Sequence, residues 1–315
     1  MLALATSMRA WSAALGCAVM VIACGESRAP RTPPRDVDGD IATADSSIHF
    51  WSRGGSAGAN VLVLINGGPG LSHESMEPLQ DALASPAWQV VTYDQRGVGR
   101  STASGSAAFT PDEYVADLET LRQHLGIARV HLLGHSFGGM IALRYLDRFP
   151  DAVASLTLVD TGVADAEAMR AGGEALGRRV TELQRQGIIR DPIPTSNCRD
   201  RFLAVAPAYF ADPHFVAPPA MVKRTCDDSG RSAVLDAFIA APYTAGVASA
   251  TLPVLVVIGA SDPLAPSSRA AAAALSHAEV SVTELAACGH LGWLECPQPF
   301  LAAVRPFLDR AGRAR

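Results

Sequence analysis

The 315-residue sequence has no block of lysine and arginine: its 26 basic residues are scattered among 31 acidic ones, and the formal charge is −5. A chain without a basic patch has no electrostatic footprint for nucleic acid, so polyanionic partners are excluded. The apolar run from Ala10 to Ala23 is shorter than the ~20 residues of a membrane span. No internal repeat or low-complexity tract is present, which removes solenoid architectures. Metal-site spacing is also wanting, since His290 is the one histidine near a cysteine pair. Apolar residues, in contrast, make up 49% of the chain, enough for a sizeable core.

The first residues predict export. Arg9 precedes the apolar run, as a basic residue precedes a signal-peptide core, and "VIAC" resembles the lipobox of bacterial lipoproteins. Residues 1–23 then form a signal peptide, and Cys24 becomes a lipidated N-terminus on the outside of a bacterial membrane. An ordinary signal peptide or a retained helix are the competing readings. The following "GESRAPRTPPRD" has no apolar period, so 24–40 reads as a flexible tether. The expected membrane contact is through the lipid alone, and the oligomeric state is left open. Export leaves Cys198, Cys226, Cys288 and Cys296, an even number in an oxidising compartment. Sequence proximity favours the bridges Cys198–Cys226 and Cys288–Cys296 over free buried thiols.

From Asp36 onward, near-continuous runs of Val, Ile and Leu alternate with amphipathic stretches. The runs "VLVLIN" (61–66), "WQVVTYD" (88–94), "RVHLLGH" (129–135), "SLTLVD" (155–160) and "PVLVVIG" (253–259) read as strands covered on both faces. "PDEYVADLETLRQHLG" reads as a helix, with a proline at its first position and a glycine at its end. This pattern predicts an α/β fold with a mainly parallel, doubly wound sheet, built from 41–162 and 251–315. The alternation stops across 163–250, which reads as a helical lid.

Chemistry concentrates at strand ends. In "GHSFGG", Gly-x-Ser-x-Gly lies between a buried strand and a helix, the context in which it forms a nucleophile elbow at Ser136. The hydroxyl needs a base and a group to orient that base. Asp262 follows the strand "PVLVVIG" and His290 follows "EVSVTEL", giving the order Ser, acid, His. Asp160, also at a strand end, is the competing acid and otherwise reads as a loop cap; His135 reads as packing. An oxyanion hole needs two backbone N–H groups. Phe137 supplies one and "NGGPG" (66–70) the other, at Gly68 with Gly67 beside it.

Three segments carry a family resemblance: "NGGPG", "YDQRGVGRS" (93–101) and "DLETLRQHLGIARVHLLGHSFGG" (117–139). Through them the chain from about 45 to 310 resembles α/β-hydrolases of the proline iminopeptidase branch of serine peptidases. The resemblance implies the α/β-hydrolase fold, a triad of Ser136, Asp262 and His290, and no metal or organic cofactor. It also implies a small-molecule or short-peptide substrate, with acidic lid residues binding a free α-amino group; Glu167, Glu174 and Glu182 are the candidates, and a solvated face of an amphipathic helix is the preferred reading of them. Phe137 and Trp293 are candidates to line an apolar pocket, with packing the preferred reading for Trp293, and Asp94 and Arg96 read as a brace for the surrounding loops. Two departures stand out: Asn66 where the family has histidine, and "GHSFGG" where true proline iminopeptidases have Gly-Gly-Ser-Trp-Gly. The expected activity is an aminopeptidase releasing N-terminal residues, proline among them. The alternatives are a carboxylesterase or lactonase of small apolar esters and, from another class, a non-catalytic binding protein.

Overall fold

The computed structural model describes residues 36–104, 109–193, 197–227 and 231–313. The signal-peptide and Cys24 expectations, and the tether up to residue 35, lie outside these.

Among the described residues nine strands form one sheet: β1 Asp36–Ala42, β2 Ser46–Gly54, β3 Asn60–Ile65, β4 Trp88–Tyr93, β5 Thr102–Ala103, β6 Val130–His135, β7 Val153–Val159, β8 Pro253–Gly259 and β9 Glu279–Leu285. The order is β1-β2-β4-β3-β6-β7-β8-β9, with β5 paired to β2. All pairs from β4 to β9 are parallel, and those made by β2 are antiparallel.

Burial on both faces makes β3 and β8 nearly unbroken aliphatic runs. In β3, Val61, Val63 and Ile65 face one core and Leu62 and Leu64 the other; in β8, Val254, Val256 and Ile258 oppose Leu255 and Val257. The first core is closed by helices Pro111–His124, Phe137–Arg148 and Ala265–Ala274. Helices Glu77–Leu83 and Pro297–Ala311 close the second. Edge strand β9 carries Glu279 and Glu284 and is mostly exposed, which discourages further pairing.

One boundary differs from expectation. Residues 36–40, predicted as part of the tether, instead join the sheet in β1, with Asp40 opposite His49 and Ile41 opposite Ile48. Asp36, Asp38 and Asp40 alternate with Val37, Gly39 and Ile41, and only Ile41 is buried. An edge strand of this kind needs backbone pairing more than an apolar face, so its composition resembles that of a linker.

Between β7 and β8 the chain forms helices Ala166–Arg185, Cys198–Val205, Pro219–Val222, Arg231–Ala240 and Ala245–Ala248. Cys198 and Cys226 are bridged within this segment, and Cys288 and Cys296 are bridged around the loop that carries His290.

Candidate active site

Ser136 joins β6 to the helix that starts at Phe137, and its backbone has φ 53° and ψ −119°. A non-glycine residue there is strained by about 1–3 kcal/mol, so its surroundings must hold it in place. Its N–H donates to the Val159 carbonyl at 3.0 Å, and its own carbonyl accepts from Gly139 and Gly162 at 3.0 and 3.1 Å. The bend presses the helix start against β3: a Cβ on Gly138 would lie 2.1 Å from the Ile65 carbonyl oxygen. The motif glycine is thus required by contact.

His290 is buried in the loop after β9, with its N–H on the Tyr209 carbonyl at 2.7 Å. Its Nδ1 is 2.9 Å from Asp262 Oδ2. The other Asp262 oxygen accepts from the Leu264 N–H at 2.9 Å, so the carboxylate is fixed at both ends. With Nδ1–H directed at Asp262, the Nε2 lone pair is left to act as a base. Ser136 and His290 both line one cavity of about 420 Å³.

Phe137 and Gly68 also line that cavity, and among the described residues neither backbone N–H donates a hydrogen bond. The loop after β3 passes tightly against the elbow: a Cβ on Gly67 would lie 2.9 Å from Ser136 Cβ and 2.7 Å from His135 Nδ1. Asn66, the departure from the family histidine, has a clear task. Its side-chain amide donates to the Gly67 and Leu71 carbonyls at 2.9 and 2.6 Å, while the Asn66 backbone carbonyl accepts from Gln95 Nε2 at 2.7 Å. It pins the glycine loop from inside.

Asp94 and Arg96 act as a brace. Asp94 accepts from the His73 and Arg100 N–H groups at 3.0 and 2.8 Å. Arg96, fully buried, holds Asp117 through two contacts of 2.8 Å and reaches Asp45 and Glu113 at 3.3 Å.

The other predicted substrate contacts fall elsewhere. On helix Ala166–Arg185, the residues Ala166, Met169, Arg170 and Gly173 line the cavity at helical spacing. Glu167 and Glu174 are displaced by one position from that stripe and are exposed; Glu174 pairs with Arg170 and Arg178. Glu182 pairs with Arg185. Among the described residues no carboxylate lines the cavity. Trp293 is also absent from the wall: it is buried behind His135, ring centroids 4.6 Å apart, with its indole N–H on the Ser75 carbonyl at 2.8 Å. Phe137 does line the wall, packed against Phe238.

Some contributors escape a reading of the sequence. Phe202, Tyr209, Leu235 and Ile239 come from the lid, which has no motif to reveal them. Arg224, also on the wall, ties the lid to the glycine loop through the Ser72 and Gly67 carbonyls. His135 does more than fill space, since its Nε2–H donates to the His290 carbonyl at 2.9 Å. Burial, with the His290 ring beside it, holds His135 well below the ordinary histidine range, so this ring stays neutral.

Comparison with known proteins agrees with this geometry. The family model for the alpha/beta hydrolase fold matches residues 60–297. A proline iminopeptidase of Lactobacillus delbrueckii subsp. bulgaricus is 37% identical over 161 residues, 49% of this chain and 53% of that one. The match thus spans about half the length of that relative. A proline iminopeptidase of Lactobacillus crispatus is 28% identical over 273 residues, covering 79% of this chain and 90% of its own. Among solved structures, a proline iminopeptidase-related protein from Thermus thermophilus superposes with a TM-score of 0.68 at 24% identity, covering 90% of this chain and all of the other. The elbow, the sheet that carries it and the family model agree: the chain belongs to the alpha/beta hydrolase fold family.

Proposed function

We propose that the protein is a serine hydrolase working through an acyl-enzyme on Ser136. The observation that carries this reading is that Ser136 and His290 line one cavity, with Asp262 2.9 Å behind the imidazole. Ser136 Oγ attacks the substrate carbonyl carbon as His290 Nε2 takes its proton. The Phe137 and Gly68 N–H groups donate to the developing oxyanion. Collapse breaks the bond to the leaving group, which receives the proton from His290, and water repeats the sequence to free Ser136. Asp262 holds the ring tautomer and stabilises the imidazolium.

The cavity suits a small, largely apolar acyl group. Within that class we take first the release of N-terminal residues, proline among them, from short peptides, a reading supported by the named activity of the relatives. Small apolar esters are the second reading, favoured by one observation: among the described residues no carboxylate on the cavity wall is available to meet a substrate ammonium. We also propose export and lipid anchoring at Cys24, which the sequence pattern and the pairing of Cys198 with Cys226 and of Cys288 with Cys296 support.

Aminoacyl-nitroanilides with free and blocked amines, run beside nitrophenyl esters, separate the readings. Turnover of prolyl-nitroanilide that disappears on blocking the amine is expected of the peptidase. Equal rates on blocked and free substrates, with faster ester turnover, establish the second reading. A folded protein inert to all of these and to a fluorophosphonate overturns the serine hydrolase proposal.

A further inference from the structure

Asp160 is a buried carboxyl to which the proposed reaction gives no task. It ends β7 with φ 43°, another left-handed non-glycine residue, and its N–H donates to the Val257 carbonyl at 3.0 Å. Its Oδ1 accepts from the Gly259 N–H at 2.7 Å. The Gly259 carbonyl in turn accepts from the Asp262 N–H at 3.0 Å, so one residue of β8 fastens both aspartates. Both side chains are buried, and the Asp262 carboxyl is close enough to act on that of Asp160.

The neighbours decide how the charge is shared. Asp262 faces His290, while Asp160 faces the Gly259 amide and Asp262 itself. Around this pair, β6 presents His135, whose Nε2–H is spent on the His290 carbonyl. The helix after Leu264 presents Ser267 and Ser268, both on the Thr161 carbonyl. Two adjoining carboxylates cannot both stay ionised when buried, and the one without a cationic partner keeps the proton. Burial, with the Asp262 charge beside it, raises the Asp160 carboxyl well above the usual carboxylate range.

We infer that Asp160 is a positioning residue for the reaction proposed above: a neutral acid that donates its O–H to Asp262 and so fixes the carboxylate that orients His290. The inference rests on the serine hydrolase reading for its catalytic meaning, whereas the shared proton stands on the two carboxyls alone.

Two measurements test it, both without a known substrate. The first is thermal melting of wild type and Asp160→Asn from pH 5 to pH 9. A carboxyl that keeps its proton when folded but releases it when unfolded, above the ordinary aspartate value, makes stability fall as pH rises. Asparagine preserves the Gly259 contact and a donor to Asp262 without that penalty. The melting temperature of Asp160→Asn should therefore gain on wild type with increasing pH, and a constant difference, or one that shrinks, overturns the shared proton.

The second is the rate of fluorophosphonate labelling. Asp160→Asn should label close to wild type and Asp160→Ala much more slowly. Labelling of Asp160→Ala as fast as wild type, or of Asp160→Asn as slow as Asp160→Ala, overturns the positioning role. If instead Ser136→Ala is still labelled, the serine hydrolase reading fails, and the melting comparison still decides whether the aspartates share a proton.

Discussion

Replacing His290 with alanine should slow acylation of Ser136 by about 10⁴-fold or more, with the fold unchanged. Without the imidazole, the Ser136 hydroxyl has no acceptor for its proton, and removing the base of a serine triad costs about as much as removing the whole triad. The cavity walls and the two oxyanion N–H groups survive the substitution, so a small residual rate above solution remains. Stopped-flow or manual labelling with a fluorophosphonate gives the rate, and far-UV circular dichroism confirms the fold. A loss below about tenfold in a folded variant contradicts the assignment of His290 as base.

Arg96→Ala should have the largest effect on stability. The guanidinium is fully buried and joins Asp117, Asp45 and Glu113 at distances from 2.8 to 3.3 Å. Its removal leaves Asp117, itself 2% exposed, as a buried carboxylate without its cation. Breaking a buried pair from one side costs about 3–5 kcal/mol, because the partner's desolvation is no longer offset. Urea titration at neutral pH measures the change. Arg96→Lys should recover part of it, since the charge is kept while the two-pronged contact with Asp117 is lost. A loss under about 1 kcal/mol for Arg96→Ala would mean that the brace is solvated and structurally idle.

The parallel half of the sheet is legible in the sequence because strands buried on both faces leave unbroken aliphatic runs. The predicted 253–259 coincides with β8, and "EVSVTEL" with β9. The antiparallel edge is less visible. In β2, "SSIHFWSRG" mixes polar and aromatic residues, and its buried His49 is held by Asp40 of β1 at 2.7 Å, a contact no local pattern announces. Ser136, Asp262 and His290 are readable because each follows a recognisable strand. The lid is harder for the opposite reason: its helices are amphipathic to the solvent and to the cavity together, so periodicity marks Glu167 and Glu174 as lid residues without saying which way they face. One helical position separates them from the Met169 stripe. The contact between Asp160 and Asp262 depends on β7 and β8 being neighbours in the sheet, which only the topology fixes.

The most direct test of the central claim is peptide mapping by mass spectrometry after reaction with a fluorophosphonate. A single phosphonyl adduct on the peptide carrying Ser136, absent from Ser136→Ala, is the expected result. An adduct on another serine, or none on a folded protein, would contradict it.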